Sequence, residues 1–150
     1  MEEGLYLNKL VITMNGNNTY LTKVFHFCAA HKYGNKKWSD EKNKEVFGKD
    51  VMVHGHNYEL HITVKGDLNP DTGFIVDLEY LKKLVQKNVI SKLDHTQFEK
   101  DIAWFEDKQP STENLVVFIW ESIEKDLEGC LLHRIRLIET PTIYTDYYGK

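Results

Sequence analysis

The sequence predicts an α+β fold, an antiparallel sheet with two helices on one face, and three observations predict it. Two-residue alternation marks both ends of the chain, helical periodicity is confined to the middle, and no internal repeat, low-complexity tract or glycine-rich phosphate loop interrupts them. At 150 residues, 41% hydrophobic and 28% charged, the chain has the size of one ordinary domain, so 1–150 reads as a single unit with its own core.

Leu5 to Met14 alternates loosely and is followed by Asn15, Gly16, Asn17 and Asn18, a turn cluster feeding an extended run from Tyr20 to His31; the two runs read as a hairpin. Phe25, Phe27, Ala29 and His31 share one parity, which makes that face the buried one. Lys32 to Val53 is a polar, lysine-rich insertion carrying Trp38, Phe47 and Gly48, expected as a long loop. Alternation returns at Tyr58, Leu60, Ile62 and Val64, and extending it backwards puts His54 and His56 on the buried side. Gly66 to Gly73 is a dense turn signal, with a short extended piece, Phe74 to Val76, after it.

Asp77 is a natural N-cap for a helix from Leu78 to Lys92, whose stripe is Leu78, Leu81, Leu84, Val85, Val89 and Leu93. Pro110, Ser111, Thr112, Glu113 and Asn114 announce a second helix with the stripe Leu115, Val116, Phe118, Ile119, Ile123 and Leu127, and Trp120 near its edge. Beyond Gly129, the residues His133, Ile135, Leu137 and Glu139 share one parity of a strand, and a last extended run reaches Tyr148.

The chemistry-bearing residues sit at the ends of these elements. His31, His54 and His56 place three imidazoles on two buried strand faces with no convincing fourth side chain, the donor set of a catalytic zinc with one position left for water or substrate. Gly55 between two of them allows close backbone approach. A histidine on an apolar face also fits a hydrogen-bonded core residue, and spacing leaves both readings open. Asp94 and His95 directly follow the first helix, where they suit a pocket as well as they suit a helix C-terminus. Glu139 ends a strand on its buried side. The net charge of −4 gives no reason to expect nucleic acid as a partner. Met1 to Leu10 suggests neither a signal peptide nor a membrane span, so the cytoplasm is the expected location. Cys28 and Cys130 make no disulfide framework and are expected as reduced, packed thiols.

From about Phe25 to its C-terminus the chain resembles the 6-pyruvoyltetrahydropterin synthase family, which includes the 6-carboxytetrahydropterin synthases. The resemblance rests on Phe27-Cys-Ala-Ala-His31, Phe47-Gly-Lys49, His54-Gly-His-Asn-Tyr58, Asp71-Thr-Gly73, Leu93-Asp-His95, Ser111-Thr-Glu-Asn114 and Ile138-Glu-Thr140, all in the family's order. Trp38-Ser-Asp-Glu41 and the Phe47-Gly-Lys49 run look closer to the pyruvoyl branch. The resemblance implies a tunnelling fold, a four-stranded sheet whose subunits join edge to edge into a barrel, and homohexamers built from two trimers with active sites at subunit interfaces. It implies a zinc-dependent lyase that removes triphosphate from 7,8-dihydroneopterin triphosphate and rearranges or cleaves the side chain, serving biopterin, folate or deazapurine (queuosine) synthesis. His31, His54 and His56 match the zinc ligands, Glu139 the pterin anchor, Thr112 and Glu113 positions near the ring, and Asp94 and His95 the acid and base pair.

One position departs. Where the family has a proton-abstracting cysteine the chain has Asp50, and two residues are missing between it and His54 relative to the pyruvoyl branch. A carboxylate with an ordinary pKa of about 3.9 is a weaker base than a thiolate with one of about 8.5. Branches with glutamate there favour carbon-carbon cleavage to a 6-hydroxymethyl pterin, and the shorter Asp50 makes that analogy partial. The competing expectation is a zinc- and pterin-binding oligomer that has lost turnover.

Overall fold

The structure is a computed structural model describing residues 19–150; the expected strand Leu5–Met14 and its turn lie outside the described residues. The alternating stretches become β1 (Tyr20–His31), β2 (His54–Lys65), β3 (Leu131–Thr140) and β4 (Ile143–Tyr147), one antiparallel sheet in the order β1-β2-β3-β4. Phe25, Phe27, Ala29, Tyr58, Leu60, Ile62, Val64, Ile135 and Leu137 are buried on its inner face.

The helical segments between β2 and β3 cover that face. The chain makes α1 (Asp40–Phe47), α2 (Leu78–Val85), a π turn (Gln86–Ile90), α3 (Ser91–Leu93), α4 (Phe98–Asp101) and α5 (Thr112–Glu124). Asp77 accepts from the N–H groups of Glu79 and Tyr80, and Ser111 from that of Asn114, so α2 and α5 begin where their caps predict. Leu81, Val85, Val89 and Leu93 are all fully buried, although a four-residue spacing overruns the 3.6-residue turn. The wider π turn absorbs that drift and carries Asn88 inward, where its Nδ2 donates to the Ser122 carbonyl at 2.9 Å and to Asp126 Oδ2 at 2.7 Å. Fully buried Leu115, Ile119 and Ile123 of α5 each contribute about 1.5–3 kcal/mol by leaving water.

Several expectations change. The insertion is not all loop: Ser39 Oγ caps α1 by accepting from the Lys42 N–H, Asp40 and Glu41 favour its first turn, and Gly48 at φ 60° ends it. No residue of α1 is buried, which explains why no apolar stripe announced it. Phe74 to Val76 forms no strand, and Leu78, the first residue of the expected stripe, is exposed. A bulge between the Thr63–Arg134 and Val64–Leu132 pairs breaks the parity of β3. Leu132 thereby faces Val64, and His133 leaves the inner face to pack against Tyr20 at 4.4 Å between ring centroids. Both cysteines are free, but only Cys130 is packed, its thiol pushed up to about 11 by burial, while Cys28 is exposed. Among the described residues no helix is long and apolar enough to cross a membrane.

Candidate active site

Strand register builds the site. His31 on β1 stands opposite His54 on β2, and Ala29 opposite His56, at the end of the inner face. Cross-strand partners bring side chains close, and here the rings approach to 4.5 Å for His31 and His54 and 5.2 Å from each to His56. One ligand-capable nitrogen from each of the three lies within 4.8 Å of the other two. Gly55 permits this pairing because a Cβ there would lie 3.0 Å from the Ala29 carbonyl oxygen.

Backbone carbonyls fix the tautomers. His31 Nδ1 donates to the Pro110 carbonyl at 2.7 Å and His54 Nδ1 to the Met52 carbonyl at 2.9 Å, which leaves Nε2 of both rings as the lone-pair nitrogen. Nε2 of His31 and of His56 is buried without a hydrogen-bond partner. Orphaned atoms of this kind cost about 1–3 kcal/mol each unless something satisfies them, and a divalent ion at the meeting point of three neutral imidazoles does so. The donor set therefore fits a metal ion with an open position.

Glu139 stands beside that point. The β3–β4 register shifts between Ile138 and Thr140, so Glu139 is the extra residue of a bulge, a device that re-aims a side chain. Its Oε1 lies 3.1 Å from His56 Nε2 and 3.4 Å from His31 Nε2, with only 12% of the side chain exposed. His31 above all, then His56 and His54, hold the Glu139 carboxyl below its usual range against the effect of burial. Burial favours the neutral ring of His31, but Glu139 and the Pro110 carbonyl outweigh it and raise its pKa. Burial lowers that of His56, which remains low against the pull of Glu139.

The other expected residues divide into two groups. Asp50 joins the cradle: its Oδ1 is 3.9 Å from His54 Nε2 and its carbonyl accepts from the Tyr33 N–H at 2.8 Å. Thr112 and Glu113 open α5 just beyond Pro110, with Thr112 Oγ1 2.8 Å from Thr145 Oγ1 and 3.4 Å from Glu113 Oε2. Asp94 and His95 instead lie on the edge of β1 that faces away from β2, where Asp94 Oδ1 accepts from the Cys28 N–H and the His95 N–H donates to the Cys28 carbonyl. Asp94 Oδ2 is 2.9 Å from His95 Nδ1, and the imidazole is 81% exposed on a residue at φ 60°. Those Cys28 and His95 contacts hold the Asp94 carboxyl below its usual range. Tyr33 was missed. Its ring lies 5.1 Å from that of His31 and stacks on Phe47 at 5.7 Å, and burial, with Glu139, Glu113 and Asp50 around it, pushes its hydroxyl up to about 12. Continuing the parity of β1 two residues past His31 would have found it.

An antiparallel sheet bearing three convergent imidazoles and a largely buried carboxylate defines the class: a small α+β protein with a site that could hold a metal ion. The chain belongs to the 6-pyruvoyl tetrahydropterin synthase family, whose sequence model matches residues 20–150. It is 40% identical over 133 residues to 6-pyruvoyl tetrahydrobiopterin synthase of Poecilia reticulata, covering 87% of this chain and 90% of the relative. It is 34% identical over 138 residues to 6-carboxy-5,6,7,8-tetrahydropterin synthase of Bacillus subtilis, covering 87% and 85%. The solved structure of Caenorhabditis elegans 6-pyruvoyl tetrahydropterin synthase superposes with a TM-score of 0.83 at 31% identity, covering 88% and 96%.

Proposed function

We propose that this chain is a zinc-dependent lyase of the 6-pyruvoyl- or 6-carboxytetrahydropterin synthase type, acting on 7,8-dihydroneopterin triphosphate. The observation that carries this reading is the convergence of His31, His54 and His56 beside Glu139. The three imidazoles would hold zinc, which when bound supplies a Lewis acid for the oxygens of the substrate's side chain. Glu139 accepts two N–H bonds from the aminopyrimidinone edge, as a carboxylate does from a guanidinium, and so sets which atoms face the cradle. Thr112 and Glu113 bound the pocket at the start of α5.

Asp50 takes the place of the family's cysteine, with its Oδ1 beside His54 as the proton acceptor. Asp94 orients His95, and the exposure of that imidazole suits a dyad that meets substrate across a subunit contact. The reading therefore includes a homohexamer, in the cytoplasm, assembled from two trimers. A second reading is favoured by Asp50 itself, whose carboxylate is the weaker base: side-chain cleavage to 6-hydroxymethyl-dihydropterin, or binding of zinc and pterin without turnover. Mass spectrometry of the product from dihydroneopterin triphosphate, with wild type, Asp50→Cys and Asp50→Asn in parallel, decides among these. A pyruvoyl or carboxy product from the wild type supports the first reading; a hydroxymethyl product supports the second; turnover only in Asp50→Cys identifies the binding protein.

A further inference from the structure

Tyr33 belongs to none of the motifs that carry the family resemblance, yet it stands against two of the three convergent imidazoles. Its ring lies 5.1 Å from that of His31 and 6.5 Å from that of His54, edge-on to both. Two further contacts fix it there. The Tyr33 N–H donates to the Asp50 carbonyl at 2.8 Å, and the ring stacks on Phe47 at 5.7 Å, with Trp38 stacked on Phe47 in turn at 6.0 Å. The insertion between β1 and β2 therefore holds an aromatic ring beside the histidines at little cost in side-chain freedom. Tyr33 also lines a cavity of about 910 Å³, so space for a ligand remains next to it.

The Tyr33 hydroxyl makes no hydrogen bond among the described residues, while Glu139, Glu113 and Asp50 all act on it. Ionised carboxylates only accept hydrogen bonds. A phenol, whose ordinary pKa is about 10, is neutral at pH 7 and donates one. The other hydroxyls nearby are spent or sealed: that of Thr112 is 2.8 Å from Thr145 Oγ1, and that of Tyr58 is fully buried. An alcohol taken out of water needs both kinds of partner, an acceptor for its O–H and a donor for its oxygen. Resting on the function proposed above, we propose that Tyr33 is a specificity-determining residue: its hydroxyl donates to a hydroxyl oxygen of the substrate's trihydroxypropyl side chain where that chain passes the histidines. Glu139 then reads the pterin ring and Tyr33 the side chain.

Neopterin and 6-methylpterin share the ring and differ in the side-chain hydroxyls, and both are titrated calorimetrically into the zinc-loaded wild type and Tyr33→Phe. Phenylalanine keeps the stack on Phe47 and the contacts with the imidazoles, so zinc content and melting temperature should not change. Neopterin affinity should fall about three- to tenfold in the variant, the value of one neutral hydrogen bond, while 6-methylpterin affinity stays at the wild-type level. Unchanged neopterin affinity, or an equal loss for both pterins, overturns the assignment and leaves the pterin reading intact. A loss of zinc or of melting temperature that accompanies weaker binding makes Tyr33 a structural residue and overturns it as well. Failure of both pterins to bind the wild type counts against the pterin reading and removes this assignment with it.

Discussion

β1 and β2 carry two groups of histidines, each with a carboxylate beside it, on opposite faces of the same ladder, and only one of them could hold a metal ion. On the inner face His31, His54 and His56 converge, their Nδ1 atoms tied down in two of three cases by backbone carbonyls and two Nε2 atoms left without partners. On the outer face His26 and His61 flank Glu59, with His61 Nε2 at 2.6 Å and His26 Nε2 at 3.4 Å from its oxygens. There Glu59 already holds the His61 ring nitrogen in a hydrogen bond, the His26 side chain is 72% exposed, and the three do not bring one ligand atom each within reach of a single ion. The residue types match; what separates the groups is whether burial and second partners leave a lone pair free and aimed.

The largest effect expected follows from that contrast. His31→Ala and His54→Ala should lower zinc occupancy from about one ion per chain to a trace, a loss of affinity above about 100-fold, whereas His61→Ala should retain full occupancy. Elemental analysis of the purified proteins measures this, and zinc lost equally in all three variants would erase the distinction between the faces.

Next is the carboxylate beside each group. Glu139→Gln keeps the shape but replaces an acceptor oxygen with an amide, and should weaken neopterin binding by about 1.5–3 kcal/mol with zinc content unchanged. Glu59→Gln on the outer face should leave neopterin binding alone. Calorimetry with a parallel thermal melt reads both; a lower melting temperature without loss of affinity in Glu139→Gln would reduce that residue to a structural role.

Acid sharpens the comparison further. The raised pKa of His31 means that the metal-free protein gains stability from its protonated ring below about 6.5, and loses that contribution as pH rises through the folded value. Zinc takes the neutral ring, so the proton competes with it: the rise in melting temperature on adding zinc should be largest near about pH 8 and shrink towards about pH 6. A zinc effect that is flat across this window would place the ligands elsewhere.

The smallest effect concerns the outer face of β3 and β4. Arg136 donates to Asp146 through Nε at 2.8 Å and through its second nitrogen at 2.7 Å, which holds the Asp146 carboxyl below its usual range. This contribution is present above the unfolded carboxylate value and is lost as pH falls through the folded one. The pair is partly exposed, so Asp146→Asn should cost no more than about 1 kcal/mol at neutral pH, measured by urea denaturation, and less still near about pH 3.

Much of the fold was legible in the sequence, since each strand with one buried face shows its parity and both long helices show their caps. The three convergent histidines were legible for the same reason: they extend the buried parity of β1 and β2. The elements that escaped are those held by something other than a core. α1 rests on Ser39 and Gly48 with no buried residue, and the short α4 reveals only Phe98 as a buried position.

By itself, the sequence determined which residues share a face, because alternation and helical spacing are properties of the local backbone. It determined the α+β class and, through motifs in order, the family. Only the tertiary structure decided which nitrogen of each ring is available, because that depends on carbonyls at Met52 and Pro110 that no side-chain pattern reports. It also decided that Glu139 is swung by a bulge towards the histidines and that Asp94 and His95 sit on the far edge of β1. Register between strands distant in sequence, rather than the strands themselves, places those groups.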